Sequence, residues 1–182
     1  MEYFEAVRTH LRAGRLVTQW VPLFESDRAT VQSEIATFFE VFPNGIVWGN
    51  ADEFNQGYDV VLMGSAEPLR IDLDAVQAKV DASPRLAQSM REAGFRSAAE
   101  LMGTYAARAS ELREWLAGAQ INRDLGLRLQ YLAGMTLNRG NAGSIYGGIT
   151  ARGRFPADLF RGSDAELKAA RESFDERRRD VF

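Results

Sequence analysis

The stretch from Val17 to Ser65 constrains the fold most, because three short apolar runs there are separated by one long helical pattern and by turn signals. Leu16 to Val21 is too short for a stable helix and rich in Val and Trp, so it reads as a buried strand. Pro22 ends it, since proline cannot donate to a sheet ladder. Asp27 is placed to cap a helix whose Val31, Ile35, Phe38, Phe39 and Phe42 form a broad apolar stripe. Pro43-Asn44-Gly45 breaks that helix and starts a strand at Ile46 to Gly49. A polar loop, Asn50 to Gly57, leads to Tyr58 to Met63, a strand predicted to be buried on both faces. The last two strands are expected to pair antiparallel.

Around this stretch the pattern is helical. Phe4, Val7 and Leu11 predict a helix over Glu2 to Ala13, with Gly14 as its stop. After Pro68 helix formers dominate. Asp72 can cap a helix carrying Leu73, Val76 and Val80, and Ser83-Pro84 opens another that ends at Gly94. Ser97 with Glu100, and Ser163 with Glu166, have capping-box spacing. Gly134 to Gly153 contains Gly140, Gly143, Gly147 and Gly148 and reads as a connector. The expected organisation is an α/β domain over 1–69 and a mostly helical extension over 70–182, with the Gly-rich connector at 134–153.

Composition removes several function classes. The 182 residues carry a formal charge of -3, which gives no electrostatic reason to expect nucleic acid or an anionic membrane. The Arg177-Arg178-Arg179 run lies among Asp175, Glu176 and Asp180 and reads as a solvated helix end. With no cysteine, disulfides, thiolate catalysis and Cys-ligated zinc are all excluded. One histidine, His10, leaves little for His-based chemistry, and its position off the Phe4, Val7, Leu11 stripe predicts exposure. No basic segment followed by an apolar run opens the chain, and no apolar run reaches the roughly 18 residues of a spanning helix. A soluble, cytoplasmic protein is expected.

Five groups of residues bear on chemistry, each with a simpler explanation. A phosphate-binding loop must follow a strand and open a helix; the Gly140 to Gly148 glycines follow no convincing strand, which favours a connector. Gln19 and Glu25 lie at or just past the end of a strand, where ligands of open sheets collect. An amide beside a carboxylate suits an amine substrate, but spacing alone favours Gln19 bonding a neighbouring backbone and a solvated Glu25. Asp52-Glu53 forms a two-carboxylate loop with no further ligands in register. Trp20, Trp48 and Trp115 are packing residues unless a ligand site recruits them, and Ser26-Asp27 has no histidine partner and reads as a cap.

Glu-Tyr-Phe-Glu-Ala-Val-Arg-Thr-His-Leu-Arg-Ala-Gly-Arg-Leu-Val-Thr-Gln-Trp-Val-Pro-Leu-Phe, residues 2–24, resembles a helix, a glycine turn and then a Gln-bearing fifth strand in spermidine-synthase-like proteins. These are polyamine aminopropyltransferases built on the class I methyltransferase-like (Rossmann-like) fold. The resemblance is dense to residue 65 and loose afterwards, where Asn122-Arg-Asp124 through Leu129-Gln130-Tyr131-Leu132 is similar to a second signature. It implies an α/β fold in which this chain supplies strands five, six and seven with their flanking helices. It also implies aminopropyl transfer from decarboxylated S-adenosylmethionine to a polyamine, with the donor loop, the ribose-binding acid and the acting Asp all upstream of Met1. No cofactor site or catalytic residue is therefore expected in this chain. Gln19 matches a substrate-side Gln. Phe42-Pro43-Asn44-Gly45 corresponds to a Tyr-Pro-Ser-Gly turn, so Phe42 stands at a substrate position without the Tyr hydroxyl, whose lost bond can cost about 1 kcal/mol.

In the resembled fold strand five is interior, in the order four, five, seven, six. Leu16 to Val21 would then be an open apolar edge, predicted to pair with a second copy or with a separate upstream half-domain. Two functional readings follow. One is a partial aminopropyltransferase, active only when the upstream half is supplied; the other is a non-catalytic remnant or interaction module that dimerises through that edge.

Overall fold

The computed structural model describes residues 1–24, 26–51, 57–126 and 141–179. In chain order its elements are α1 (Glu2–His10), β1 (Leu16–Pro22), α2 (Arg28–Val41), β2 (Ile46–Ala51), β3 (Gly57–Ser65) and β4 (Ile71–Asp72). They continue with α3 (Leu73–Asp81), α4 (Pro84–Glu92), α5 (Ala98–Met102) and β5 (Tyr105–Arg108). A 3₁₀ turn (Asp124–Gly126), α6 (Ala142–Thr150), β6 (Phe160–Arg161) and α7 (Asp164–Arg179) complete them. The chain is a mixed α/β protein, as its alternation of apolar patterns predicts.

Two compact units are present, Met1–Pro68 with Ala106–Arg154, and Leu69–Tyr105 with Phe155–Phe182. The division at Pro68 falls where composition shifts. Residues 106–154, expected in the helical extension, belong instead to the first unit. The physical reason is a row of side-chain bonds from α2. Gln32 donates to the carbonyl of Trp115. Ser33 donates to the carbonyl of Gln120 over 2.5 Å, and Thr37 Oγ1 accepts from Asn122 N over 2.8 Å. Polar residues on a largely buried helix need partners, and this segment supplies them.

The sheet of the first unit has the order β1-β3-β2-β5. β3 runs antiparallel to both neighbours, with Gln19 opposite Leu62 and Val47 opposite the same residue. β1 and β2 therefore share a direction, and α2 is the crossover between them. The α2 stripe sits on this sheet, with Val31, Ile35, Phe38 and Phe42 fully buried. Asp27 caps the helix, its carboxylate accepting from Thr30 N over 2.7 Å.

Gly64 of β3 makes this seating possible. A Cβ there would lie 2.7 Å from the Phe42 ring and 2.9 Å from the Phe38 ring. The two rings are 4.9 Å apart, and Phe4 of α1 meets Phe38 edge-on at 5.2 Å. Elsewhere in the unit, a Cβ on Gly49 or Gly57 would overlap the ring of Tyr146.

Tyr146 belongs to α6, which corrects the expected connector over 134–153: residues 142–150 are helical. Ile145, Tyr146 and Ile149 give this segment a buried face that its glycines obscure, and Gly148 lets it approach Trp115. Residues 134–140 lie outside the described residues.

β1 also departs from expectation. It reads as a buried strand, yet Leu16 is 46% and Trp20 50% exposed. An apolar run implies burial on both faces only for an interior strand, and β1 is the rim of this sheet.

In the second unit β4 and β6 pair in parallel. The Asp74 carboxylate accepts from Ser163 N at 2.7 Å and Ser163 Oγ at 2.8 Å, fixing the start of α7. Ser97 caps α5, while the Glu100 carboxylate binds Arg96 at 2.7 Å. The basic end of α7 is not simply solvated. Arg177 lies 5.4 Å over Phe95 and Arg178 4.3 Å over Phe174, so their charges rest on aromatic faces.

Gly64→Ala is expected to lower stability by about 1–3 kcal/mol in urea unfolding, because the Phe38 and Phe42 rings must shift. Gly143→Ala, on α6 with nothing within 4 Å of its added Cβ, is expected to raise stability by about 0.5–1 kcal/mol. Equal effects at the two positions would contradict the packing described.

Candidate functional site at Gln19 and Glu34

Gln19 sits in mid-β1, and strand alternation points its side chain to the face that carries α2. Its Nε2 donates to the carbonyl of Trp20 over 2.9 Å and to Glu34 Oε1 over 3.4 Å. The simpler sequence reading, Gln19 on a neighbouring backbone, is thus realised in part. The same amide also meets a carboxylate that the sequence reading passed over.

Glu34 lies on α2 among the residues that seat the helix. Burial pushes its carboxyl from the ordinary 4.5 up to about 7, opposed by the hydrogen bond from Gln19. A buried acid normally has a cation or several donors; among the described residues Glu34 has one neutral donor, Gln19. Its sequence signal was available: the stripe at Val31, Ile35 and Phe38 contains a carboxylate three residues after Val31 and four before Phe38. A charged residue inside an apolar helical stripe marks a buried titratable group.

The backbone of β1 completes the geometry. Leu23 N donates to the carbonyl of Tyr58 at 3.2 Å, so alternation turns the backbone groups of Val17, Gln19 and Val21 toward β3. Those of Leu16, Thr18, Trp20 and Pro22 face the rim. The carbonyl that Gln19 engages is therefore one of the outward-facing acceptors. Pro22 has its missing N–H on that outer side, where no ladder bond is lost.

The other expected site residues are dispersed. Phe42, expected at a substrate position, is fully buried against Phe38 and Gly64; its ring fills the space a side chain at Gly64 would take, and it faces the core. Glu25, Asp52 and Glu53 lie outside the described residues. Trp20 is on the opposite face from Gln19 and begins a row of rings, 6.4 Å to Phe24, which stacks on Tyr58 at 4.3 Å. Trp115 is buried and His10 exposed. A separate groove of about 420 Å³ is lined by Met1, Glu5, Arg8, Thr9, Glu40 and Val41. Among the described residues no group of three or more acidic or histidine side chains is placed to hold a metal ion.

No protein-family model, curated protein or solved structure matches this chain.

The raised pKa of Glu34 has a defined sign. A folded value above the unfolded one means that stability is fully present below about pH 4.5 and declines as pH rises through about 7. Glu34→Gln removes a charge that folding must desolvate. It is expected to stabilise the protein at pH 8 by an amount on the order of 3 kcal/mol and to leave it little changed at pH 4. Thermal unfolding of both proteins across this range checks the point; a constant difference between them would show that Glu34 is not desolvated.

Proposed function

We propose that residues 1–65 form the amine-side half of a spermidine-synthase-like aminopropyltransferase domain. The observation that carries this reading is the connectivity β1-α2-β2-β3 with the spatial order β1-β3-β2, in which β3 runs against both neighbours. That order accords with the five, seven, six arrangement of the resembled fold, with β5 added beyond β2, and Gln19 lies on the strand that would stand for strand five. In this reading the donor-binding half supplies a strand that pairs along β1, making it interior. The amine nitrogen attacks the terminal propyl carbon of decarboxylated S-adenosylmethionine, the carbon–sulfur bond breaks, methylthioadenosine leaves, and the amine proton passes to a carboxylate of the donor half. Residues 1–65 position the amine and supply neither donor site nor base.

Among the described residues no helix is long and apolar enough to cross a membrane. A cytoplasmic site of action accords with the cysteine-free composition.

A second reading, an interaction module that dimerises through β1, is favoured by one specific feature. Leu16 and Trp20 are large apolar side chains, both exposed on the rim strand, and such edges recruit further strands.

The two readings separate in solution. For the first, calorimetry is expected to detect no binding of methylthioadenosine by this chain alone, and aminopropyl transfer to appear when a donor half is added. Clear nucleoside binding by the chain alone overturns it. For the second, light scattering is expected to give a dimer that Trp20→Lys converts to monomer. A monodisperse wild-type monomer with fast amide exchange at Leu16, Thr18 and Trp20, whose N–H groups face the rim, overturns that one.

A further inference from the structure

We propose that Asn44 is a site of spontaneous covalent modification, in which its side chain closes on the backbone nitrogen of Gly45 and water then opens the ring to aspartate and isoaspartate. In the first step a bond forms between Gly45 N and Asn44 Cγ, and the Cγ–Nδ2 bond breaks. Ammonia leaves, carrying the proton that Gly45 N gives up. In the second step water adds to one carbonyl of the cyclic imide and releases the nitrogen from it. Release from Cγ gives aspartate; release from the backbone carbonyl gives isoaspartate. The site is independent of the amine-side reading.

The sequence and the packing together place the reaction here. Asn44 is exposed, so water reaches its amide and ammonia escapes. Asn44 alone among the asparagines precedes a glycine, and a nitrogen whose residue lacks a Cβ is the least crowded nucleophile a chain can offer. The fold also requires that glycine. A Cβ at Gly45 would lie 2.7 Å from the Phe39 ring and 2.9 Å from the Phe42 carbonyl oxygen. The packing of α2 therefore keeps a reactive neighbour beside Asn44.

The closed turn restrains the reaction, and the product undoes the turn. Gly45 N donates to the Phe42 carbonyl over 2.8 Å across Pro43 and Asn44, with Pro43 presetting the second turn position. A nitrogen held in that bond is turned away from the side chain that precedes it, so attack needs local opening. Isoaspartate routes the chain through the side-chain carbon, which lengthens the backbone between Phe42 and Gly45 by about 1.5 Å. Gly45 has no slack for this. Its carbonyl accepts from Ala109 N over 3.2 Å, and Ile46 next to it is in register with Met63. The extra carbon falls where α2 joins β2, and the hydrogen bonds of Gly45 are the ones it breaks.

The test incubates the whole chain at mildly alkaline pH and follows its peptides by mass spectrometry, reading the replacement of NH by O at each asparagine. Asn44 is expected to convert at least about tenfold faster than Asn122 and Asn141, which precede side-chain-bearing residues. It is expected to convert at least about tenfold more slowly in the folded chain than in the same chain unfolded in guanidinium. Asn44→Ser is expected to keep the turn and give no product there. The isoaspartate form, separated by chromatography, is expected to lose hydrogen-exchange protection at the Gly45 and Ala109 amides. Asn44→Asp, which brings the charge without the added carbon, is expected to retain it. Conversion of Asn44 no faster than of Asn122 and Asn141 overturns the site. Equal rates in the folded and unfolded chain overturn the restraint by the turn, and unchanged amide protection in the isoaspartate form overturns the structural consequence.

Discussion

The contact between the Phe38 and Phe42 rings and the bare backbone of Gly64 sets the spacing of the first unit. A helix packs on a sheet at a distance fixed by the side chains between them. Here the central strand contributes none at the decisive position, and two phenylalanines from α2 occupy the space. Burying an aromatic side chain stabilises by about 1.5–3 kcal/mol, so this pair is a leading contribution to holding α2 down. The consequence reaches the chemistry, because Glu34 lies one turn before Phe38. Once α2 is seated on Gly64, Glu34 is carried to the flank of the helix beside β1, within reach of Gln19. The packing that stabilises the unit is thus also what desolvates its acid.

How far this arrangement was legible in the sequence depended on the kind of signal each element carries. α2 announced itself because Asp27, the apolar stripe and Pro43 gave a start, a face and a stop in agreement. β2 and β3 were legible as apolar runs between turn residues. The capping positions at Asp72, Ser83, Ser97 and Ser163 were readable because a side-chain oxygen three residues ahead of a free N–H is a local rule; each accepts that bond. Tertiary context was harder. α6 hid behind its glycines, since Gly143, Gly147 and Gly148 argue against a helix, and of the three only Gly148 has a neighbour, Trp115, close enough to require its small size. Nothing local to residues 106–126 shows that Trp115, Gln120 and Asn122 satisfy polar groups of α2, because those partners are more than 80 positions away.

The candidate site shows the same division. Gln19 was legible from its place on a strand. Its carboxylate partner was sought at Glu25, a few residues along the chain. In the fold the partner is Glu34, because a crossover helix returns over its own strand and brings a residue 15 positions away into contact. Sequence distance is a poor guide wherever strand and helix pack face to face. Phe42 carried two readings, a place in the apolar stripe from its spacing and a substrate position from the resemblance, and in the fold it is fully buried where α2 ends on the sheet.

The rim of the sheet and the site beside it share one group, the Trp20 carbonyl. It points away from β3, so it is an acceptor that an incoming strand would use, and Gln19 Nε2 now occupies it. A strand pairing along β1 brings a backbone N–H to that oxygen, which competes directly with the Gln19 amide. Displaced from Trp20, the amide would keep its longer contact, to Glu34 at 3.4 Å. Edge pairing also buries Leu16 and Trp20, whose exposure is the cost of leaving β1 on the rim. An incoming strand and the Gln19 side chain would thus compete for one acceptor.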